Sequence, residues 1–293
     1  MIIMKLMGGM GNQMFQYAIG RHLALNHRTD LKLDVRLYTK KSLWPYSLNK
    51  FSINEHFATE KDSTLFFSSN KKKSGKKRLT SLFYRLFPDY KPMVIEEVGH
   101  LFQPDTLHAK RNSYLNGYWQ CEKYFKDIRE LLLLDFKLAT PLTGNNLALS
   151  KEISSHESVS LHVRRGDYVS EAITNDIHGT CSKDYYQRAG DIIQSETKAT
   201  HCFVFSDDIE WAKENLTFPL KTTFVDTNSA DNGHLDLALM QCCTHHIIAN
   251  SSFSWWGAWL ANSPDKIVIA PKQWFRSDKY DTSDIVPTSW KKI

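Results

Sequence analysis

The chain has no apolar run near the ~18 residues that a membrane-spanning helix needs, so a transmembrane architecture is excluded. Its opening, Met1-Ile-Ile-Met-Lys-Leu-Met7, breaks at Gly8-Gly9 before a secretory core can form. A soluble, cytoplasmic chain is the expectation. Cysteine is sparse: Cys121, Cys181, Cys202, Cys242 and Cys243 are odd in number and lack framework spacing, which excludes a disulfide-stapled fold and implies reduced thiols. The string Cys242-Cys243-Thr244-His245-His246 offers metal-ligand types, but adjacent side chains diverge and no second pair stands at finger spacing. Asp-x-Asp is absent altogether, so the usual acidic clamp for a nucleotide-bound divalent cation is missing. An excess of basic over acidic charge is also lacking outside one place. Six of the Lys and Arg residues lie in Lys71-Lys72-Lys73-Ser74-Gly75-Lys76-Lys77-Arg78, and removing them turns the net +5 into −1. A broad nucleic-acid-binding face is therefore not indicated.

What remains has a globular composition, with 42% hydrophobic and 24% charged residues, so bulk disorder is excluded. Its 293 residues suggest about two domains. Apolar Ile2 to Met7, the turn Gly8-Gly9-Met10-Gly11, a helical pattern through Phe15, Ala18, Ile19 and Leu23, and apolar Leu31 to Val35 read as strand, turn, helix, strand. Residues 36–112 are irregular and aromatic-rich. Tyr114 to Trp119 reads as a strand and Glu122 to Leu134 as a helix. Ala139 to Asn146, interrupted by Pro141 and Gly144, reads as a linker between domains 1–145 and 146–293. Beyond it strands and helices alternate. The strands are Val159–Val163, Cys202–Phe205, Thr222–Val225, His246–Ala249 and Lys266–Ala270. Between them the helices are Asp184–Glu196, Asp208–Leu216, Gly233–Cys243 and Ser252–Ala261. This predicts an α/β fold with a doubly wound parallel sheet, which binds ligands at the carboxyl ends of its strands.

Each polar motif falls at such an end. In His162-Val163-Arg164-Arg165-Gly166-Asp167 a guanidinium leaving a strand can grip phosphate oxygens, or the arginines can simply pair with Asp167. In Phe205-Ser206-Asp207-Asp208 a carboxylate can bind a guanine edge or ribose hydroxyls, and one acid can cap the following helix. In Asn250-Ser251-Ser252-Phe253 a helix start built of small polar residues makes an anion site without a cation, or an ordinary Ser cap. Trp256, Trp259 and Leu260 behind it form a core stripe. The turn containing Gly9 and Gly11 lacks the third glycine of a dinucleotide fingerprint and the Lys-Ser/Thr of a P-loop. It lets a backbone approach a ligand and leaves Asn12 and Gln13 to bond sugar hydroxyls or phosphate.

Taken in order, Gly8-Gly9-Met10-Gly11-Asn12-Gln13-Met14-Phe15-Gln16-Tyr17, Gly117-Tyr118-Trp119-Gln120, His162 to Tyr168, Phe205 to Asp208 and Ile248 to Trp256 resemble the bacterial α-1,2-fucosyltransferase family and its H-antigen relatives. The resemblance runs from about residue 2 to 275. It implies two Rossmann-like domains facing each other across a cleft, the GT-B arrangement, with GDP-fucose on the C-terminal one. It further implies metal-independent, inverting transfer of L-fucose from GDP-β-L-fucose to the 2-hydroxyl of a terminal galactose in a surface oligosaccharide, such as an O-antigen repeat. By the same resemblance Arg164 would bind the β-phosphate, with His162 and Asp207 on the nucleoside. Asn250, Ser251, Ser252 and Phe253 would cradle the phosphates, largely through backbone N–H groups. Arg165 and Ser206 join the donor site, and Gly9, Gly11, Asn12 and Gln13 the fucose and acceptor side. His162 and Asp167 are both open as catalytic base. Other readings are a different GDP-sugar or linkage, or a nucleotide- or glycan-binding module without turnover. No cofactor is expected.

One stretch stands apart. After the basic run, Leu79, Leu82, Phe83, Leu86 and Phe87 share one helical face. A basic tract beside an amphipathic helix holds proteins on anionic lipid. Residues 71–87 are thus read as a peripheral contact with the cytoplasmic face of the inner membrane, where a lipid-linked acceptor would lie. The competing reading is a Lys-rich loop followed by a helix packed on its own domain.

Overall fold

The computed structural model describes residues 1–39, 42–67, 82–166, 169, 176, 179–277 and 279–293. The chain divides into two compact units, Met1–Lys137 and Leu138–Ile293.

In the first unit Ile2, Ile3 and Met4 of β1 (Ile2–Lys5) are wholly buried in succession, as in a parallel strand covered on both faces. β1 lies between β2 (Leu31–Asp34) and β4 (Ser113–Asn116), and β3 (Met93–Glu96) forms the far edge. All are parallel, in the order β2-β1-β4-β3. Helix α1 (Met10–Asn26) crosses from β1 to β2. At Gly20 a side chain would come within 2.7 Å of Leu31 Cδ1, so the small residue sets how closely helix meets sheet. Tyr17 Oη donates to Asp135 in α3 (Arg129–Asp135), which also pairs with Arg21 at 3.0 Å, fixing the outer face of α1. α2 (Glu60–Phe67) follows β2.

Two expectations are corrected here. The strand read over Tyr114 to Trp119 stops at Asn116, because Gly117 begins a turn in which Trp119 has φ of +57°. The helix read over Glu122 to Leu134 is two short 3₁₀ turns, Glu122–Tyr124 and Lys126–Ile128, before α3 begins.

The second unit starts earlier than residue 146. Helix α4 (Gly144–Ser154) takes in the last three residues of the expected linker, and its Leu149 and Ile153 are drawn into an apolar cluster with Phe203, Phe205 and Val225. Six parallel strands follow in the order β10-β9-β8-β5-β6-β7. They are β5 (Ser158–Val163), β6 (His201–Ser206), β7 (Lys221–Val225), β8 (His245–Ile247), β9 (Val268–Ala270) and β10 (Lys291–Lys292). Helices α5 (Lys183–Glu196), α6 (Ile209–Asn215), α7 (Gly233–Gln241) and α8 (Ser252–Leu260) connect them. β5 is buried throughout, and truncating Leu161 at its centre to alanine should cost about 2–5 kcal/mol.

From β5 the chain winds outward through β6 to β7, then returns to the other side of β5 for β8, β9 and β10. The order reverses between β5 and β8, the switch point at which open α/β sheets bind ligands. Two neighbouring tyrosines of α5 pin this region. Tyr186 Oη donates to the carbonyl of His162 at 3.2 Å, and Tyr185 Oη lies 2.7 Å from the carbonyl of Ile248 and 3.2 Å from that of Ile269.

Candidate active site

At the end of β5 the side chains alternate between core and loop. Val163 is buried, and Arg164 emerges toward the end of β6, where Asp207 receives it: Nη1 to Oδ2 is 2.9 Å. The other oxygen of Asp207 accepts the backbone N–H of Arg165 at 2.8 Å. Gly166 lies against the same carboxylate, and a Cβ there would fall 2.6 Å from Asp207 Oδ2. Arg165 turns the other way. Its Nε donates to Asp208 Oδ2 at 3.1 Å and its guanidinium stacks 3.9 Å above the Trp211 ring. Asp208 also caps α6 by accepting Trp211 N–H, and its own N–H bonds Ser206 Oγ.

The expected partner of Arg165, Asp167, lies outside the described residues, and the pairing seen is with Asp208. Asp207, read from sequence as a nucleoside contact, is tied to Arg164 and the Arg165 backbone.

His162, last but one in β5, is 4% exposed, and its Nδ1 has no hydrogen-bond partner among the described residues. Burial, reinforced by the Arg164 charge and opposed by Asp207, lowers its pKa to about 4, so the ring is neutral at neutral pH. Its centroid is 5.4 Å from that of Phe253, which brings the β5 end and the start of α8 together. Ser251 caps α8 through Oγ, accepting Phe253 N–H. Ser252 and Phe253 remain partly open to solvent. The first-turn N–H groups of such a helix lack intrahelical acceptors and favour an anion.

Asn250 is engaged through its side chain. It is 3% exposed, and its Nδ2 donates to the carbonyls of Gly179 and Trp274 at 3.2 Å each, so the side chain ties loops together. Behind the turn Trp255, Trp256 and Trp259 are buried, with Trp255 Nε1 bonded to Ile285 O, which is the core stripe expected.

A further carboxylate escaped the sequence reading. Asp236, in the first turn of α7, is reached by Asn228 Nδ2 at 2.7 Å, and Asn228 makes a reciprocal amide pair with Asn146. Burial raises its pKa to about 6 despite the Asn228 bond. One turn on, Leu239 and Met240 join the cluster that Phe253 packs against. Spacing alone gave no signal, since a lone Asp at a helix start is ordinarily a dipole partner.

In the first unit the motif residues again gather at strand ends. Gly8 has φ of +76°, a conformation that favours glycine, and Gly9 caps α1. Gly11 is buried, and Asn12 Oδ1 accepts Gln120 Nε2 at 2.6 Å. Gln13 corrects its expectation. It is fully buried, its Nε2 donates to Gly8 O and Pro45 O, and its Oε1 accepts Ser47 N–H, so the amide closes two loops and faces no ligand surface. Glu97, just past β3, was missed. It accepts the N–H groups of Tyr118 and Trp119.

A model of glycosyl transferase family 11 matches residues 1–293. The chain is 35% identical to an α-1,2-colitosyltransferase of Escherichia coli, covering 100% of this chain and 98% of that one. It is 31% identical to an O-antigen biosynthesis glycosyltransferase of the same organism, WbnK, over 97% of this chain and 98% of the other. A galactoside α-(1,2)-fucosyltransferase of Mus musculus is 30% identical over 188 residues, 60% of this chain and 46% of that one. Among solved structures, the α-1,6-fucosyltransferase NodZ soaked with GDP-fucose superposes with a TM-score of 0.51 at 18% identity, covering 92% of this chain and 94% of that one. At that identity the likeness concerns the fold alone.

Proposed function

The chain belongs to glycosyl transferase family 11, and from that premise we propose that it moves L-fucose from GDP-β-L-fucose to the 2-hydroxyl of a terminal galactose in an O-antigen-type oligosaccharide, with inversion and without a metal. The observation that carries the reading is the Asp207-anchored Arg164 at the switch point of the sheet, beside the N-terminus of α8.

As the bond between the sugar's anomeric carbon and the diphosphate breaks, negative charge collects on the β-phosphate oxygen. A guanidinium held in place beforehand and the open N–H groups of a helix start stabilise that charge with little reorganisation. Arg164 supplies the first and the Ser252–Phe253 turn the second. A neutral His162 contacts the nucleoside. With Asp207 engaged by Arg164, the acceptor for a guanine edge passes to Asp236, whose Asn228 bond leaves it capacity for further donors. Arg165, stacked on Trp211, shapes the loop.

One relative suggests a second donor. Colitose is fucose without its 3-hydroxyl, and a relative covering the whole chain is a colitosyltransferase. Purified protein with GDP-fucose, EDTA and a panel of β-galactosides decides the main reading. Fucose on a 2-hydroxyl despite EDTA supports donor, linkage and metal independence together. Transfer from GDP-colitose in preference to GDP-fucose moves the donor assignment. GDP binding with no transfer from either reduces the chain to a binding module.

The acceptor is proposed to be lipid-linked. Of the apolar face read from sequence, Leu79 lies outside the described residues, and Leu82, Phe83, Leu86 and Phe87 are 54%, 43%, 66% and 51% exposed, which supports an outward-facing apolar surface. Arg85 and Lys91 beside it are exposed, and the Lys71–Arg78 run lies outside the described residues. An anionic lipid surface complements both the charge and the apolar side chains.

A further inference from the structure

Arg164 and Arg165 are neighbours in the chain, and so are Asp207 and Asp208, so two arginines meet two aspartates across the ends of β5 and β6. Two pairings are chemically open. In the one observed, Arg164 Nη1 meets Asp207 Oδ2 at 2.9 Å and Arg165 Nε meets Asp208 Oδ2 at 3.1 Å. In the other, Arg165 takes Asp207 and displaces Arg164 from it. All four side chains keep some contact with water, so charge attraction alone separates the two pairings only weakly.

Trp211 breaks the tie. It lies in the first turn of α6, where Asp208 accepts its N–H, and the Arg165 guanidinium stands 3.9 Å from the centroid of its ring. A planar guanidinium can stack on an aromatic face and still donate within its own plane, so the ring and Asp208 hold Arg165 jointly. Lys183, at the start of α5, brings Nζ to 5.9 Å from the same ring centroid. The ring is itself anchored, packed against the apolar cluster that contains Val163, Tyr186 and Val204.

Backbone bonds pass the constraint on. Arg165 N–H donates to Asp207 Oδ1, and Arg165 O accepts Val169 N–H, each at 2.8 Å, so both main-chain groups of the residue are tied. Fixing Arg165 thereby fixes Asp207, whose other oxygen orients Arg164. Every contact in this series lies inside the second unit.

We propose that Trp211 is a positioning residue of the transfer: its ring selects the Arg165–Asp208 pairing and so reserves Asp207 for Arg164, the guanidinium that meets the departing diphosphate. The inference rests on the transferase reading above and deepens it with a residue that acts through Arg165 and Asp207 without touching the donor. With the ring removed, Arg165 is free to reach for Asp207, and Arg164 samples orientations that do not serve the phosphate.

The test is a double-mutant cycle on kcat, with GDP affinity and Tm measured alongside. Trp211→Leu should lower kcat by about 5–30-fold, the loss that corresponds to a largely desolvated cation–π stack. Trp211→Phe, which keeps an aromatic face, should recover most of the rate. In an Arg164→Ala background, Trp211→Leu should change kcat by less than about twofold, because the group it positions is gone. A loss of the same size in both backgrounds means that Trp211 supports the unit generally, and it overturns the proposal. So does a wild-type kcat in Trp211→Leu, whatever its Tm. If Trp211→Leu does not fold, Arg165→Lys takes its place in the cycle, since lysine keeps the charge and loses the planar stack. Arg165→Lys should lower kcat only where Arg164 is present. An equal loss in both backgrounds would put Arg165 on the donor itself, and that result or an unchanged kcat overturns the proposal. Absence of transfer by the wild type from any GDP-6-deoxyhexose would overturn the transferase reading, and this inference with it.

Discussion

Asp207 binds Arg164 and the backbone of Arg165 at once, through Oδ2 at 2.9 Å and Oδ1 at 2.8 Å. One carboxylate therefore fixes both where the β5 loop leaves the sheet and where its guanidinium points. Arg164→Ala should lower kcat by about 10²–10³-fold, the loss expected when one transition-state donor is removed. Arg164→Lys should recover little, since a point charge cannot reproduce the planar fork. Asp207→Asn keeps the shape but loosens the anchor, and a smaller loss of about 10–100-fold is expected, as for other orienting partners. Steady-state kinetics with GDP binding measured separately checks this. An Asp207→Asn loss as large as that of Arg164→Ala would show that Asp207 touches the donor itself.

Gln13 makes a prediction of the opposite kind. Its amide joins Gly8 O, Pro45 O and Ser47 N–H inside the first unit, with no exposed surface. Gln13→Ala takes the acceptor from Ser47 N–H and one donor each from Gly8 O and Pro45 O, which Tyr38 Oη and Ser47 Oγ still reach, so the cost is about 1–3 kcal/mol for the group left unsatisfied. Thermal unfolding should shift down by several degrees, with the KM for acceptor changed little in the protein that remains folded. A KM effect at unchanged Tm would return Gln13 to the sugar.

Asp236 ties stability to pH. Burial holds its pKa at about 6 in the fold, above the ordinary aspartate range. A raised folded pKa favours the folded state below the unfolded value, and that contribution is lost as pH rises through the folded one. Above pH 6 the ionised, buried carboxylate costs on the order of 2–3 kcal/mol. Asp236→Asn should therefore raise Tm at pH 8 and leave it nearly unchanged at pH 4. Donor affinity should move the other way, because guanine donors favour the ionised form: GDP should bind wild type more tightly as pH rises through about 6, and Asp236→Asn should flatten that rise. A pH-independent affinity in wild type would remove Asp236 from the base site.

The second unit was the more legible from sequence, for a physical reason. Its central strands β5, β6, β8 and β9 are almost wholly buried and read as short apolar runs, and the turns after β5, β6 and β8 each carry a motif, so the rhythm stood out. β3 did not. As an edge strand with Met93 and Val94 exposed it has no buried face to impose a pattern. Glu97 went unseen with it, since its contact with the Gly117–Trp119 turn pairs residues about 20 apart in the chain through a backbone conformation that composition does not encode. Asn250 and Gln13 were recognised as motif residues, but what their amides hold depends on loops at Gly179, Trp274 and Pro45 that sequence spacing cannot bring together.

The exposed apolar face at 82–87 bears on where the enzyme meets its acceptor. Phe83 and Phe87 lie with ring centroids 5.1 Å apart, and each also contacts Tyr90, so the surface is an aromatic cluster and not one stray side chain. Inserting a phenylalanine side chain into lipid is worth about 1.5–3 kcal/mol at most, and each basic residue near an anionic surface adds about 1 kcal/mol. Together these suffice for reversible binding that weakens with salt. In flotation with anionic vesicles at low salt, wild type should rise with the lipid. A Phe83→Ser/Phe87→Ser double variant, or replacement of the Lys71–Arg78 basic residues by Gln, should each leave much of the protein at the bottom. Vesicles of neutral lipid should capture little in every case. Equal flotation of wild type and both variants, or flotation of none, would remove the lipid contact while leaving the sugar-transfer chemistry untouched.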